Sequence, residues 1–328
     1  MNLIEKYLVY IRDIRRYSER TVRNYGDVLK TFCDVIHHDD VVSDEELAAS
    51  MNVSELRTYE VKLLERGLSP KTVNMHMSAL SGFCRFLMKE EVLASNPVKL
   101  VAKPKVEKRL PAFFKAEAMN DYLSRTSHFL DSSEVEAFLE GWHTKSGKEY
   151  YDGMLSRMII AILYSLGLRR AELVALTVGD VDFGRNVVKV RGKGDKMREI
   201  PLIASLSQEI LLYLKAVETM CGGKRSLKEP LLVTYKGCRL YPAYVDRAVK
   251  SGLKGQKGIT GRKSPHVLRH SLATELMNDG TDIFSIKEML GHSSLATTQI
   301  YTHSSIAQLK HSYEQAHPRA KNGGKNGD

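Results

Sequence analysis

The stretch MLSRMIIAILYSLG, residues 154–167, decides the fold class of the larger part of this chain. Its apolar residues occur nearly all round a helical wheel, which predicts a helix that is buried on every side. A chain of 328 residues in which 43% are hydrophobic is long enough to bury such a helix in a real core. It contains no run of 18 or more apolar residues, so a membrane-spanning helix is not expected.

The sequence that follows this helix predicts a small antiparallel sheet and then more helices. Residues 187–202, VVKVRGKGDKMREIPL, contain two strand-like runs around GKGDK, a pattern typical of a β-hairpin with a glycine-enabled turn. Residues 230–235, PLLVTY, are a further candidate for a short strand. From Ser264 onward the pattern is helical again. We therefore predict a mixed domain that is mainly α with a small antiparallel β-sheet.

The first hundred residues predict a separate helical unit. Residues 69–90 form an amphipathic helix with Ser69 as its N-cap and Pro70 in its first turn, and residues 19–32 form another. The earlier of the two helices places apolar residues on one face: Val22, Tyr25, Leu29 and Phe32. The later one has an apolar stripe that is most simply a buried seam: Val73, Met77, Leu80, Cys84 and Leu87.

A basic segment separates the two predicted domains. Residues 96–114, NPVKLVAKPKVEKRLPAFF, combine three prolines with several lysines, including Lys103 and Lys105, and show little apolar periodicity. Such a segment either follows a DNA backbone or simply joins two domains. On the helix before it, Lys71 and Arg85 share the polar face, where they either contact phosphate or are solvated.

The predicted boundaries are 1–101 for the helical domain, 102–111 for the linker, 112–316 for the mixed domain and 317–328 for a disordered, glycine-rich tail.

Charge and cysteine content narrow the class of protein. The formal net charge is +10 and the pI is near 9.3, which favours a polyanionic partner such as nucleic acid, although a basic soluble protein also fits. The four cysteines, Cys33, Cys84, Cys221 and Cys238, are scattered without paired spacing. They indicate reduced thiols in a cytoplasmic protein, and neither a disulfide framework nor a zinc site.

The segment HVLRHSLATELMNDG, residues 266–280, holds the densest group of candidate site residues. His266, Arg269 and His270 fall at helical spacing i, i+3 and i+4, so they are expected to share one face. A zinc helix needs glutamate after its first histidine, but Val267 stands there, and an arginine would repel a cation. Each histidine alone is more often a core residue. A buried arginine, however, is expected to have an anionic partner, for which a phosphate would serve.

Other candidate residues lie on either side of this segment. Arg169 follows the buried helix directly, and Lys193 stands at the tip of the predicted hairpin. His292 follows Gly291, the expected C-cap of a short helix that begins after Asp282. Tyr301 comes nine residues after His292, and alone it would be interpreted as a core aromatic residue.

Taken in order, these residues resemble the motif of the tyrosine recombinase family, and within it the Xer-type recombinases. The matching pieces are GLRRAEL for Arg169, RGKGDK for Lys193, HVLRH for His266 and Arg269, LGH for His292 and YTH for Tyr301. RGLSPKTVNMHMSALSGFCRFL and NPVKLVAKPK resemble the family's N-terminal core-binding domain, and HSYEQAHPRA resembles an Xer-type ending. The resemblance covers nearly the whole chain.

The resemblance implies a two-domain clamp on DNA, made of a SAM-like core-binding domain and a catalytic domain of the tyrosine recombinase type. It also implies a role for each matching residue. Tyr301 would be the nucleophile, and His266 would act as the base that takes its proton. Arg169 and Arg269 would hold the phosphate, and His292 would donate a hydrogen bond to it. Lys193 would protonate the leaving 5′-oxygen. Glu172 either orients Arg169 or supports the fold. The chemistry requires no metal and no cofactor.

The implied partners are double-stranded DNA with a specific recombination site and other copies of the chain, with a second recombinase or accessory protein left open. Four copies would assemble on two duplexes, with Ile306, Leu309 and Tyr313 docking onto a neighbour or packing in their own subunit. The segment of residues 115–157 is longer than expected for the family, which suggests a loop insertion.

Type IB topoisomerase activity and a non-catalytic DNA-binding regulator are the rival functions, and the presence of Tyr301 argues against the regulator.

Overall fold

The structure is a computed structural model, and it describes residues 1–38, 42–106, 113–192 and 195–291. The chain divides into two compact units, residues 1–109 and 110–328. The assignment of functions to domains with the boundaries 1–101, 102–111, 112–316 and 317–328 stays a prediction.

Unit 1 is built from helices. They are α1 (Leu3–Val9), α2 (Glu19–His37), α3 (Asp44–Ser50), α4 (Val53–Glu65) and α5 (Pro70–Lys89), with a π-helical turn at Tyr10–Ile14 and a 3-10 turn at Pro97–Leu100. Helix α5 begins as the sequence predicts, because the Ser69 hydroxyl accepts the Thr72 N–H and Pro70 occupies the first turn. The predicted stripe of α5 is confirmed as core, since every one of its residues is at most 1% exposed.

Unit 2 contains the remaining elements. Its helices are α6 (Ala116–Arg125), α7 (Ser132–Gly141), α8 (Lys145–Leu166), α9 (Arg170–Ala175), α10 (Ala204–Met220), α11 (Pro242–Gly252), α12 (Pro265–Asn278) and α13 (Ile283–Leu290). Its strands are β1 (Val181–Asp182), β2 (Val187–Arg191) and β3 (Met197–Pro201). The predicted fold class, mainly α with a small antiparallel sheet, is confirmed.

Helix α8 is the centre of unit 2, as its all-round apolar pattern predicts. Its residues from Met158 to Tyr164 are all fully buried, and α10, α11 and α12 pack against it. The helix ends at Gly167, whose positive φ of 59° suits a residue without a Cβ. None of the described helices combines the length and the apolar character needed to cross a membrane.

The predicted hairpin is present as β2 and β3. The two strands pair antiparallel from Val187 opposite Pro201 to Arg191 opposite Met197, and β1 adds a third strand beside β2. At the turn, the Gly192 N–H donates to the Lys196 carbonyl at 2.8 Å. This bond continues the antiparallel register of β2 and β3 to the start of the turn.

The strand predicted at 230–235 is wrong. Only isolated bridges occur there, between Thr177 and Pro230 and between Val233 and Arg239. Side chains, instead of a further strand, take the backbone groups of Val233. The Tyr213 hydroxyl accepts its N–H at 3.0 Å, and the Tyr151 hydroxyl donates to its carbonyl at 2.9 Å. No second strand can pair with these occupied groups, so the bridge between Val233 and Arg239 stays isolated.

The loop predicted in residues 115–157 is also wrong, whereas the greater length of this segment relative to the family stays a prediction. This segment forms α6, a 3-10 turn at Ser127–Leu130, α7 and the start of α8. Met119, Val135 and Tyr151 from it are at most 1% exposed and belong to the main core of the unit. The many charged residues of the segment hid this pattern, because they cover the outer faces of short amphipathic helices.

Because α8 is the centre of the core, we predict that Leu163→Ala lowers the free energy of unfolding of unit 2 by about 2–5 kcal/mol. Leu163 is 0% exposed. The only tryptophan of the chain, Trp142, lies partly buried in unit 2, so its fluorescence during urea unfolding reports on this unit. Leu211→Ala is the control, since Leu211 is 49% exposed and its loss should change stability by at most about 0.5 kcal/mol. Equal midpoints for both variants would contradict the central position of α8.

Candidate active site

The site is organised around the carboxylate of Glu172 at the start of α9. Arg169 is the residue before that helix, and its backbone N–H donates to Glu172 Oε2 at 2.7 Å. The Arg169 side chain donates from Nη1 to Glu172 Oε1 at 2.8 Å. Glu172 thus caps its own helix and holds the guanidinium of Arg169. Of the two roles left open by the sequence, orientation of Arg169 and support of the fold, the structure gives this carboxylate contacts for both.

A second arginine, which the sequence analysis missed, also binds Glu172. Arg198 on β3 donates from Nη1 to Oε1 at 3.0 Å and from Nη2 to Oε2 at 2.9 Å, a bidentate pair. Its side chain is only 7% exposed. The signal lay in the strand alternation of MREIP, because Arg198 and Ile200 occupy inward positions of β3, where an arginine needs a partner.

Arg269 comes from α12 and is held by backbone carbonyls. It donates from Nη1 to Gly167 O at 2.6 Å and from Nη2 to Leu290 O. These carbonyls lie at the C-terminal ends of α8 and α13, where the helix dipole places partial negative charge. The guanidinium of Arg269 thus has carbonyl partners within the protein, and a phosphate partner for it stays a prediction. The described partners of its guanidinium are helix ends.

Three arginines converge on the end of α13. Arg198 Nε donates to Met289 O at 2.8 Å, Arg269 donates to Leu290 O, and Arg169 Nη2 donates to Gly291 O at 2.6 Å. The acceptors are consecutive residues. Gly291 is the expected C-cap, with a positive φ of 66°. We call Arg169, Arg198, Arg269 and Glu172 the arginine cluster.

The pKa shifts of the arginine cluster follow from its burial and its charges. Burial raises the pKa of Glu172, but hydrogen bonds from Arg198 and from the Arg169 backbone outweigh it and leave this pKa below the ordinary value. Burial and the nearby charge of Arg169 lower the pKa of Arg269 to about 10. Both side chains are therefore ionised at neutral pH.

The arginine cluster is suited to an anion. Three guanidinium groups face one carboxylate, which leaves a net positive charge. The Arg169 side chain is 35% exposed and makes two hydrogen bonds to described residues, so other N–H donors of its guanidinium can receive a ligand. This geometry can hold a phosphate group from the side of Arg169.

The remaining catalytic candidates are only partly described. His266 lies in the first turn of α12 and is exposed, whereas Arg269, three residues later, is buried. The face predicted to carry both residues therefore has one end at the surface and the other in the interior. Lys193, His292 and Tyr301 lie outside the described residues. Gly192, which precedes Lys193, approaches the arginine cluster: a Cβ added to it would lie 3.5 Å from Arg198 Nη1.

The candidate DNA-binding residues lie in unit 1. Lys71 and Arg85 are exposed on α5, and Lys103 and Lys105 are exposed beyond it. Asn74 on the same face of α5 donates to Pro104 O at 3.1 Å, which fixes the path of the chain beside these lysines. No group of three His, Cys, Asp or Glu side chains that could hold a metal ion occurs in the described parts of the chain.

Comparison with known proteins establishes the family. The sequence profile of the phage integrase family matches residues 128–308, and that of the phage integrase N-terminal SAM-like domain matches residues 4–91. The chain therefore belongs to the phage integrase family. It is a tyrosine recombinase, an enzyme of site-specific recombination, as the sequence resemblance implies.

The proteins similar to this chain include recombinases that match it over nearly their whole length. Tyrosine recombinase XerC of Chlorobaculum parvum is 31% identical over 97% of this chain and 94% of that protein. Tyrosine recombinase XerC of Bacillus subtilis is 33% identical over 97% of each.

Solved structures share the fold. The Tn1549 transposon integrase in complex with transposon right end DNA has a TM-score of 0.63 at 20% identity, covering 94% of this chain and 98% of that one. A lambda integrase tetramer bound to a Holliday junction has a TM-score of 0.58 at 16% identity, covering 91% of this chain and 80% of that one.

We predict that Glu172→Gln lowers the free energy of unfolding of unit 2 at neutral pH by about 3–5 kcal/mol, because it removes the carboxylate from buried guanidinium groups. The folded-state pKa of Glu172 is lowered, so its contribution is complete above the ordinary value of 4.5 and is lost as the pH falls through the folded value. The difference between wild type and variant should therefore shrink below pH 4.5 in urea titrations followed by Trp142 fluorescence.

The control for this titration is Glu136→Gln, which removes an exposed ion pair with Lys215. Its effect at neutral pH should be at most about 1 kcal/mol. A Glu172→Gln penalty that stayed constant from neutral pH to well below 4.5 would contradict a lowered pKa for this carboxyl group.

Proposed function

We propose that the chain exchanges DNA strands by the Xer-type reaction, with Tyr301 as its nucleophile. The tyrosine oxygen attacks the scissile phosphorus, a 3′-phosphotyrosine bond forms, and the bond to the 5′-oxygen breaks. The 5′-hydroxyl of another strand then attacks the phosphotyrosine and releases Tyr301. One phosphodiester is formed for each one broken, so the reaction requires no ATP.

The observation that carries this proposal is the convergence of Arg169 and Arg269 at the end of α13. They are far apart in sequence, yet both donate to the carbonyls that immediately precede His292. In the reaction, negative charge builds on the non-bridging phosphate oxygens, and preorganised guanidinium groups stabilise it. In this proposal Arg169 offers the accessible donors and Arg269 supplies positive charge from behind it.

In the proposed reaction, residues near the arginine cluster in sequence or in space transfer the protons. His266 takes the proton of Tyr301, whose ordinary pKa of about 10 makes unaided attack slow at neutral pH. Lys193 protonates the departing 5′-oxygen from the hairpin turn that starts at Gly192. His292 donates a hydrogen bond to the phosphate.

We further propose that unit 1 grips double-stranded DNA through Lys71, Arg85, Lys103 and Lys105. Four copies would act on two duplexes in the cytoplasm, each docking residues 306–317 onto a neighbour. A closed ring of such head-to-tail contacts is the simplest arrangement. The net charge of +10 supports a DNA partner.

We predict that metal-free wild-type protein forms a covalent adduct with nicked suicide DNA carrying the recombination site, or with a pool of genomic fragments, and that Tyr301→Phe forms none. A denaturing gel separates the adduct from free DNA. Arg169→Ala should slow adduct formation by about 100-fold or more, because it removes a donor to the transition-state charge.

Arg170→Ala is the matched control for Arg169→Ala. Arg170 is the next residue in the chain, but it pairs with Asp246 and makes no contact with Glu172 among the described residues. We expect its adduct to form at nearly the wild-type rate. A wild-type protein that binds the DNA specifically but forms no adduct would contradict the proposed chemistry and favour a regulator.

We predict that Lys71→Ala and Arg85→Ala each weaken DNA binding and reduce the slope of log Kd against log salt by about 0.9, because each removes one phosphate contact. Fluorescence anisotropy over a salt series measures the slope. Lys71→Arg keeps the charge and should keep the slope. An unchanged slope in both alanine variants would remove these residues from the proposed interface.

A further inference from the structure

Arg198 is absent from the recombinase motif that the sequence matches, yet it contacts two separate parts of the site, Glu172 and the end of α13. It lies on β3, beside the hairpin turn that leads to Lys193. Its guanidinium binds both oxygens of Glu172, and its Nε binds Met289 O at 2.8 Å. It therefore joins the sheet, the start of α9 and the end of α13.

We infer that Arg198 is a positioning residue for the reaction: it holds the C-terminal end of α13, and with it the chain entering His292, against the arginine cluster. This inference rests on the proposed function and adds to it a residue with no direct contact to the phosphate. Arg198 acts through Glu172 and the α13 carbonyl.

Close packing supports the inference. A Cβ added to Gly291 would lie 3.2 Å from Arg198 Nη1 and 3.3 Å from its Cζ, so the α13 C-cap rests directly on the guanidinium. The bidentate contact with Glu172 fixes the plane of that guanidinium, and this plane sets where Met289 and Gly291 can lie. A lysine at position 198 would keep the charge but would lose the fork that makes these contacts at once.

The test compares Arg198→Lys with Arg225→Lys. Arg225 is an equally buried arginine of unit 2, 9% exposed against 8% for Arg198, and it also binds one carboxylate, that of Glu229, and the carbonyls of Pro230 and Leu231. If burial and hydrogen bonding mattered only for folding, the two variants would behave alike. Trp142 fluorescence during unfolding establishes how far each remains folded.

At saturating suicide DNA, we expect Arg198→Lys to form the covalent adduct about 10- to 100-fold more slowly than wild type, with its Kd for DNA within about threefold, because displacement of catalytic groups by about an ångström has effects of this size. Arg225→Lys should keep both values near wild type. Equal rates for Arg198→Lys and Arg225→Lys would overturn the inference.

A second pair of variants tests the same contact if Arg198→Lys does not fold. Gly291→Ala places a methyl group against the Arg198 guanidinium at a positive φ of 66°. Gly280→Ala imposes similar backbone strain, at a φ of 83°, with no atom within 4 Å of the new Cβ. Slow adduct formation in Gly291→Ala alone supports the inference, and equal rates in both overturn it.

A substrate with sulfur in place of the bridging 5′-oxygen distinguishes positioning of the α13 end from positioning of Lys193. A thiolate leaves without protonation, since thiols have pKa values near 8.5, far below those of alcohols. This substrate should restore Lys193→Ala towards the wild-type rate and should leave the defect of Arg198→Lys. Restoration of both variants would overturn the inference, because Arg198 would then act through Lys193.

Wild type and Tyr301→Phe, run on the same gel, distinguish a failure of the proposed function from a failure of the Arg198 inference. No adduct from wild type would overturn the proposed function and this inference together. A wild-type adduct, with Arg198→Lys no slower than Arg225→Lys, would overturn the inference alone.

Discussion

The arginine cluster of unit 2 depends on the hydrogen bonds that the Glu172 carboxylate accepts. The carboxylate accepts hydrogen bonds from the backbone and side chain of Arg169 and from both terminal nitrogens of Arg198. Without this carboxylate, the guanidinium groups of Arg169, Arg198 and Arg269 would lie together with no negative side chain among their described contacts. Uncompensated charges in a largely buried site are strongly destabilising. One acidic residue thus makes it possible to gather three positive charges at the proposed phosphate site.

The ends of helices supply the rest of the compensation. Helices α8 and α13 end at glycines in the left-handed region, Gly167 and Gly291. Each ending turns unpaired carbonyl oxygens towards the arginines, at the negative pole of the helix dipole. The core therefore serves the site directly: buried α8 fixes the position of Gly167, and packing of α12 on α8 carries Arg269 to it. The same contacts therefore contribute to stability and to the proposed anion site.

This arrangement links three segments that carry or adjoin the proposed catalytic residues. The hairpin leads to Lys193, α9 begins after Arg169, and α13 ends before His292. The arginine cluster joins all three through short, charge-assisted hydrogen bonds. A change at one segment would therefore be transmitted to the others, and this is how Arg198, a residue outside the matched motif, would influence the proposed reaction.

The sequence by itself determined the helical character of both units, the buried faces of α5 and α8, the hairpin, the caps at Ser69 and Gly291 and the recombinase family, because periodicity, capping and motif spacing are local properties of the chain. Tertiary structure alone decided the rest. The backbone groups of Val233 bind the hydroxyls of two distant tyrosines instead of a further strand. Segment 115–157 became core helices because unit 2 offered an apolar surface for them to cover. The partners of Arg269 and the inclusion of Arg198 depend on residues up to about a hundred positions away, and such contacts form only when the chain is folded.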